Sequence, residues 1–218
     1  MNTTSRFPVV AATVFTLSGA IGALGFTAVD GAHRSSVPTE IHAAHAAWVS
    51  TAESVGEQVR EADLVVRVQA IDRAAPRALW SPVPESARSQ APGAFLFTDT
   101  RVEVLEVYKG EAEIGDRLWV LQTGGDTTNL RGAPVRLALG EDPLYDLGSE
   151  LVLFLIDISQ DPVHAEGRDL FRTVNPAGRY DVDGGLVSRV ALGSGQRVAS
   201  DLGSLKAEID AALRTPLE

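Results

Sequence analysis

The sequence predicts a mainly β protein whose core is a small antiparallel β-barrel, closed or partly open, with a β-sandwich as the second possibility. About five to seven strand-like segments follow one another along the chain, separated by turns rich in glycine and proline. None of the connections has the pattern of a helical crossover, which a parallel sheet would require. Helices are expected only at the two ends of this region, including a short one at the C-terminus.

The composition supports a packed core and excludes several kinds of function. Of the 218 residues, 44% are hydrophobic and 22% are charged, which is enough apolar material to fold. The chain has no cysteine, so disulfide frameworks, thiolate metal sites and cysteine nucleophiles are excluded. A net charge of -10 argues against sequence-independent nucleic-acid binding, which depends on lysine and arginine. We therefore expect no nucleic-acid partner.

An uncharged segment, residues 7–29, precedes the predicted barrel. As a helix it would extend roughly 35 Å, which is sufficient to cross the apolar core of a bilayer. Arg6 lies before it and Asp30 after it, which favours a cytoplasmic N-terminus and an exported remainder. We expect residues 1–30 to be a transmembrane signal anchor in the cytoplasmic membrane. A cleaved signal peptide, which would release a secreted protein, is the alternative.

Residues 31–61 are predicted to form a polar spacer and an amphipathic, membrane-proximal helix that runs from Thr39 to Ala62. Its apolar stripe contains two interleaved seven-residue series, Ile41, Trp48 and Val55 with His45, Ala52 and Val59. The helix either packs on the barrel, which predicts a monomer, or stands as an exposed stalk, which predicts oligomers. Ile41 and Trp48 are therefore possible partner-binding residues.

Residues 62–218 form the predicted barrel domain with its C-terminal helix. Its first half contains three strand patterns, Leu64–Ile71, Phe95–Tyr108 and Arg117–Gln122, the last of them closed by Gly124 and Gly125. In the second pattern the apolar face switches at Val104–Leu105, which predicts a β-bulge. Residues 72–94 hold four prolines, which predicts a long loop.

The second half begins with a stretch predicted to be irregular, residues 126–148. Glu150–Ile158 is apolar almost throughout, as expected of a strand buried on both faces. Shorter strand patterns follow at Phe171–Val174, Gly178–Val182 and Leu186–Val190. Asp183-Gly184-Gly185 predicts a hairpin turn between the last two, and a short helix is expected from Leu202 to Leu213.

Four regions together resemble a known group of proteins. They are ADLVVRVQAI (62–71), RVEVLEVYKG with GDRLWVLQTGG (101–125), YDLGSELVLFLI (145–156), and GRYDVDGG with DLGSLKAEIDAAL (178–213). The order of these regions along the chain resembles that in uncharacterised exported proteins of actinobacteria and bacilli. The core of those proteins is similar to the OB-type barrel of netrin modules and tissue inhibitors of metalloproteinases. The resemblance implies an OB-like barrel over residues 62–213. Those inhibitors bind zinc through an N-terminal cysteine, which this chain lacks, so no functional residue is carried over.

No constellation of catalytic or metal-binding residues stands out. His42 and His45 are three apart on the predicted helix, but two imidazoles do not make a metal site. The segment from Asp181 resembles the start of a calcium loop, yet its twelfth position is Leu192, where such a loop needs a glutamate. We expect no catalytic residue, cofactor or metal, and we interpret Asp181–Gly184 as part of a hairpin.

Several side chains carry predictions of their own. Arg67, Arg101 and Glu103 are expected to form cross-strand ion pairs on a solvated outer face of the barrel. Trp119 is expected in the core. Trp80, in the proline-rich loop, is either folded back and buried or part of an exposed apolar tip that binds a partner.

The expected function is that of a membrane-tethered, extracytoplasmic binding module without enzymatic activity. Its partner would be a protein or another component of the cell envelope. Two alternatives stay open. One is an envelope hydrolase whose Asp, Glu or His groups meet only in the fold, and the other is a structural component of an envelope complex.

Overall fold

In a computed structural model the chain is described over residues 40–44, 50–79, 95–128, 133–139, 142–190 and 197–215. The strands within these ranges are β1 (Glu40–Ala44), β2 (Leu64–Arg73), β3 (Arg77–Leu79), β4 (Phe95–Lys109), β5 (Arg117–Thr128), β6 (Pro134–Leu139), β7 (Glu150–Asp157), β8 (Leu170–Thr173), β9 (Arg179–Asp183), β10 (Leu186–Val190) and β11 (Arg197–Asp201). The α-helices are α1 (Val55–Glu61) and α2 (Leu202–Arg214), and a 3-10 helix covers Pro176–Gly178.

Five of these strands form a closed barrel. Around the ring, β2 pairs with β4, β4 with β5, β5 with β8, β8 with β7, and β7 with β2. The β5–β8 pairing is parallel and the other four are antiparallel. The barrel interior is apolar and consists of Leu64, Val66, Val68, Ala70, Val102, Val104, Val120, Tyr145, Leu151, Leu153 and Leu155. The predicted mainly β barrel is therefore confirmed.

The longest strand of the ring, β4, curves around the barrel through β-bulges. Opposite β2, Arg67 pairs with Glu106 and Val68 with Val104, which leaves Leu105 as an extra residue. An extra residue exchanges the inward and outward faces of the strand beyond it, because strand side chains alternate with a period of two. The face switch predicted at Val104–Leu105 is confirmed.

The strand β7 is buried on both faces because it belongs to two hydrophobic layers. Leu153 faces the barrel interior, whereas Phe154 packs in a second cluster beneath α1 and α2. This second cluster contains Ala52, Val59, Ala62, Val65, Val152, Phe154, Val174, Tyr180, Val187, Leu205 and Ile209. The rings of Phe154 and Tyr180 lie with their centroids 5.6 Å apart. The double burial predicted for this segment is confirmed.

Both helices begin at residues whose side chains bind free backbone N–H groups. At α1, Ser54 and Glu57 form a capping box, and at α2 the Asp201 carboxylate accepts a hydrogen bond from the backbone N–H of Ser204. The helix predicted at the C-terminus is confirmed as α2. The residues just before it, for which the sequence carried no prediction, form the edge strand β11.

The N-terminal helix is shorter than predicted. Of the described residues in this stretch, only Val55–Glu61 are helical; residues 40–44 form β1, and residues 45–49 lie outside the described ranges. The helix prediction is wrong for β1 because pairing with β6 satisfies its backbone, and tertiary contacts override a weak local preference. The capping box at Ser54 was the sequence signal for the true start of the helix.

A three-stranded arm extends from the barrel and consists of β1, β6 and the second half of β5. Gly124 and Gly125, which were predicted to end the strand, lie inside β5 and pair with β6. A Cβ at Gly124 would lie 2.4 Å from the carbonyl oxygen of Leu137, and its φ is +113°. These glycines therefore permit a bend and a close approach of two strands. The prediction that residues 126–148 are irregular is wrong where β6 forms.

The loops and turns between the strands agree in part with those predicted from the sequence. The predicted hairpin is confirmed, because Gly184 and Gly185, with φ of 56° and 87°, join β9 to β10. The predicted loop over residues 72–94 contains the short strand β3, and residues 80–94 lie outside the described ranges. In the part of the chain that the structure covers, no helix is long and apolar enough to cross a membrane. The predicted membrane segment, residues 7–29, lies outside that part.

Candidate functional site

The structure describes one of the three residues predicted to bind a partner. Ile41 lies in β1, where its backbone is paired in parallel register with Arg136 of β6. Trp48 and Trp80 lie outside the described ranges, so both remain predictions. The strongest grouping of aromatic and charged side chains lies elsewhere, on the outer surface of β4 and β5.

This surface, which we call the β4–β5 face, consists of the side chains that point away from the barrel interior. Because strand side chains alternate and Thr98, Thr100, Val102 and Val120 are buried on the inner side, the intervening residues face outward. In cross-strand register the outward pairs are Phe97 with Thr123, Asp99 with Leu121, Arg101 with Trp119, and Glu103 with Arg117. The β4–β5 face thus combines two aromatic rings with a row of charged groups.

At one end of the face, the Asp99 carboxylate binds two guanidinium groups. The Nε and Nη2 atoms of Arg77, in β3, each donate to Asp99 over 3.1 Å, and Arg168 Nη1 lies 3.0 Å from the second carboxylate oxygen. Only 1% of Asp99 is exposed to solvent. Bidentate arginine–carboxylate pairs are among the strongest and most directional hydrogen-bonded pairs in proteins.

A fourth charge completes this cluster. Glu166 lies 3.3 Å from Arg77 Nη1 and 3.5 Å from Arg168 Nη2, so two positive and two negative side chains are joined. Arg77 also donates to the carbonyl of His164. We call Arg77, Asp99, Glu166 and Arg168 the arginine clamp. The clamp ties β3 and the β7–β8 loop, residues 158–169, onto β4, so both connections that flank the face are held in place.

An imidazole borders the face beside the clamp. The rings of His164 and Phe97 meet edge to face with centroids 5.4 Å apart, and His164 Nδ1 lies 2.7 Å from Asp161. Burial acts to raise the pKa of Asp161, but hydrogen bonds from His164 and from the Val163 backbone outweigh it, so this pKa is lowered. The carboxylate thereby fixes the orientation of the imidazole ring.

The second aromatic ring of the face is that of Trp119. Its ring is half-buried and lies beneath the Arg101 guanidinium, 5.4 Å from the ring centroid. The prediction that Trp119 belongs to the core is wrong, because it alternates with the inward-facing Val120. The predicted outer-face ion pairs form between Glu103 and Arg117 and between Arg67 and Glu150, whereas Arg101 contacts the indole instead.

A second polar cluster lies beside β9. Asp142 is 4% exposed, and its Oδ1 lies 3.7 Å from Nη1 of Arg179. Burial raises the pKa of Asp142 to about 6, although the neighbouring Arg179 acts in the opposite direction. Tyr145 is fully buried beneath the same guanidinium, 4.7 Å from its ring centroid. This cluster is closed to solvent and so offers less to a large ligand than the β4–β5 face.

The histidines considered for metal binding, His42 and His45, lie near the N-terminus. Across the described ranges, no group of three or more His, Cys, Asp or Glu side chains is placed to hold a metal ion. His42 lies in β1, whereas its predicted neighbour His45 is outside those ranges.

Sequence reasoning missed the β4–β5 face as a candidate site. The alternation of Phe97, Asp99 and Arg101 within one strand was visible, but nothing local indicated that Arg77 and Arg168 converge on Asp99. Comparisons with protein-family models, with curated proteins and with solved structures find no match to this chain.

Proposed function

We propose that this protein is a membrane-tethered, extracytoplasmic binding module without catalytic activity, and that it contacts a protein or envelope partner through the β4–β5 face. The observation that carries the proposal is the rigid presentation of Phe97 and Trp119 between two clamped connections. Tryptophan and arginine are the side chains that most often dominate binding energy, and a surface already ordered loses little entropy on binding.

We further propose that the barrel is of the OB type. The first strand of the ring, β2, pairs with the second and the fourth, and the third pairs in parallel with the fifth. In OB barrels ligands bind on the face of the second and third strands and on the loops beside it. Those strands are β4 and β5 here, and the adjacent connections contain Arg77 and Arg168. The resemblance to netrin modules was proposed from the four sequence regions, and an OB-type strand order is compatible with it.

The ion pairing of the face supports binding over catalysis. Both oxygens of Asp99 are engaged by guanidinium groups, so this carboxylate is not available as a general base or nucleophile. Among the described residues, the oriented pair of His164 and Asp161 is the arrangement that favours the hydrolase alternative. Turnover of a peptidoglycan, peptide or ester substrate by the full-length chain, abolished by His164→Ala, would support that alternative and contradict our proposal.

A site-specific cross-linking experiment tests the binding face. A photoreactive residue introduced at Thr123, on the face, is compared with one at Glu208, an exposed position of α2, in the full-length chain in its own membranes. We expect a defined adduct from position 123 that is lost in the Trp119→Ala variant, and none from position 208. Equal adducts at both positions, or an adduct that persists without the indole, would contradict the proposal.

The tether and the orientation are tested by labelling. Because the chain has no cysteine, a single introduced cysteine reports its own location. We expect Ala211→Cys, exposed on α2, to react with a membrane-impermeant maleimide in intact cells, and Ser5→Cys to react only after permeabilisation. Recovery of the labelled barrel in the medium instead of the membrane would indicate a cleaved signal peptide.

A further inference from the structure

The barrel wall is completed at one end by a loop instead of a strand. Along the same edge of β7, residues Leu155–Asp157 pair with β8, whereas Glu150–Leu153 pair with β9. β8 also pairs with β5, but it reaches only as far as Leu121. The remaining gap between β5 and β9 is filled by residues 142–145, which we call the seam segment.

Side chains from both walls of the gap hold the seam segment by its backbone. Gln122 of β5 donates to the carbonyl of Pro143 and accepts from the backbone N–H of Tyr145, at 3.2 and 3.1 Å. Arg179 of β9 donates to the same Pro143 carbonyl, and Arg73 of β2 donates to the carbonyl of Tyr145. The seam segment is therefore a strap attached to three strands through hydrogen bonds to two residues.

Two side-chain polar atoms of the strap, unlike the backbone groups of Pro143 and Tyr145, have no hydrogen-bond partner among the described residues. Within the described part of the chain, Asp142 Oδ1 and the Tyr145 hydroxyl are buried and have no hydrogen-bond partner. A buried carboxylate with one oxygen that accepts no hydrogen bond, and with its nearest guanidinium nitrogen 3.7 Å away, is unfavourable when ionised and better tolerated when protonated. The strap therefore contains one group whose charge opposes its closed position.

We propose that the seam segment is a proton-controlled strap, which closes the end of the barrel between β5 and β9 when Asp142 is protonated and releases when Asp142 is ionised. Release exposes Asp142 to water and frees the edges of β5 and β9 at this end. The closed state is the one in which Gln122 and Arg179 bind the backbone of the strap, whether Asp142 is protonated or ionised.

The neighbouring charges set the direction of the dependence. Burial and the nearby Asp181 of β9 oppose ionisation of Asp142, whereas Arg179, also from β9, favours it; the Tyr145 phenol beside them is neutral in this pH range. The pKa of Asp142 is thus about 6 in the closed strap, against 3.8 for an aspartate in water. Because the released state binds a proton more weakly, rising pH favours release between these two values, and the effect levels off above pH 6.

Hydrogen exchange tests the strap in the full-length chain. Exchange of a peptide covering residues 142–149 is followed by mass spectrometry and corrected for the intrinsic pH dependence. The two pKa values predict that the opening constant rises about tenfold between pH 5 and pH 7.5. We expect this rise to disappear in Asp142→Asn and to persist in Asp146→Asn, an exposed position of the same loop. A peptide covering residues 101–108 of β4 is the internal reference.

Two results would overturn the proposal. One is an opening constant that does not change with pH in the wild-type chain, and the other is the same rise in Asp142→Asn. In the wild-type chain alone, the carboxyl carbon resonance of Asp142 should titrate near pH 6, together with the exchange. A midpoint near pH 4 would show that the group is already solvated and would equally rule the strap out.

Discussion

Asp99 and Asp142 are both almost completely buried, yet their carboxyl groups have opposite surroundings. Three guanidinium N–H groups approach Asp99 at hydrogen-bonding distance, whereas one oxygen of Asp142 has no donor within the described ranges. A buried charge is tolerated when it is paired and fully hydrogen-bonded, and it is unfavourable otherwise. Neither environment was readable from sequence, because each depends on arginines that are distant along the chain.

The variant Asp99→Asn should destabilise the protein strongly. It leaves Arg77 and Arg168 facing a neutral group, and unpairing a buried ion pair typically costs about 3–5 kcal/mol. We expect urea denaturation to show a loss at the lower end of that range, because Arg168 is partly exposed. Glu166→Gln, at the exposed end of the same clamp, is the matched control and should cost under about 1 kcal/mol. Equal losses for the two variants would contradict this account.

The variant Asp142→Asn should change how stability depends on pH. The folded-state pKa of Asp142 is raised, so the contribution of this group to stability is fully present at low pH and is lost as pH rises from 3.8 through about 6. Relative to wild type, the variant should gain about 1 kcal/mol between pH 5 and pH 7.5. Thermal or urea unfolding of both proteins at the two pH values measures this difference. A relative loss at pH 7.5 would show that ionised Asp142 stabilises the fold.

The strands β2, β4 and β7 were predictable because each carries its own signal, either a period of two or a continuous apolar run. The strands β1, β3, β6 and β11 were not, because short strands take their conformation from the strands with which they pair. Gly124 and Gly125 show most clearly why strand ends are difficult to predict from local sequence. Paired glycines ordinarily indicate the end of a strand, and here they permit β5 to continue into the arm with a bend.

The variant Gly124→Ala should be far more damaging than Gly115→Ala. Both glycines have positive φ, at +113° and +93°, so both substitutions introduce backbone strain of about 1 kcal/mol. A new Cβ at position 124 would also lie 2.4 Å from the Leu137 carbonyl oxygen, whereas nothing lies within 4 Å at position 115. We expect the unfolding free energy to fall by at least about 2 kcal/mol more for Gly124→Ala. Similar losses in the two variants would show that the close approach of β5 and β6 at Gly124 contributes little to the free energy of unfolding.

Taken as a whole, the molecule consists of two hydrophobic layers that share β7. The barrel uses one face of this strand and the two helices use the other, so the two cores are joined through the backbone of β7. The barrel itself was predictable from the succession of strands, whereas the second layer was only partly so, because it requires α1 and α2 to meet across the chain. We expect both layers to unfold in one cooperative transition.

The variant Ile209→Ala tests this cooperativity. Ile209 is fully buried in the helical layer, and removing such a side chain costs about 2–5 kcal/mol. Exchange protection should fall by the same free energy for the amides of Val59 in α1 and Val104 in the barrel. Leu213→Ala, on the same helix but 43% exposed, is the matched control and should have little effect. Loss of protection in the helices alone would show that the layers unfold separately.

The pairings of β2 with β7 and of β5 with β8 also determine at which point of synthesis the barrel can form. Leu64 of β2 lies opposite Leu155 of β7, and the ring closes only when β8 is present. Contacts so distant along a chain form slowly, because much of the backbone must lose its freedom before they contribute. During synthesis, the ring therefore cannot close until β8, at about four-fifths of the chain, has left the ribosome, so the polypeptide stays without its barrel for most of its translation.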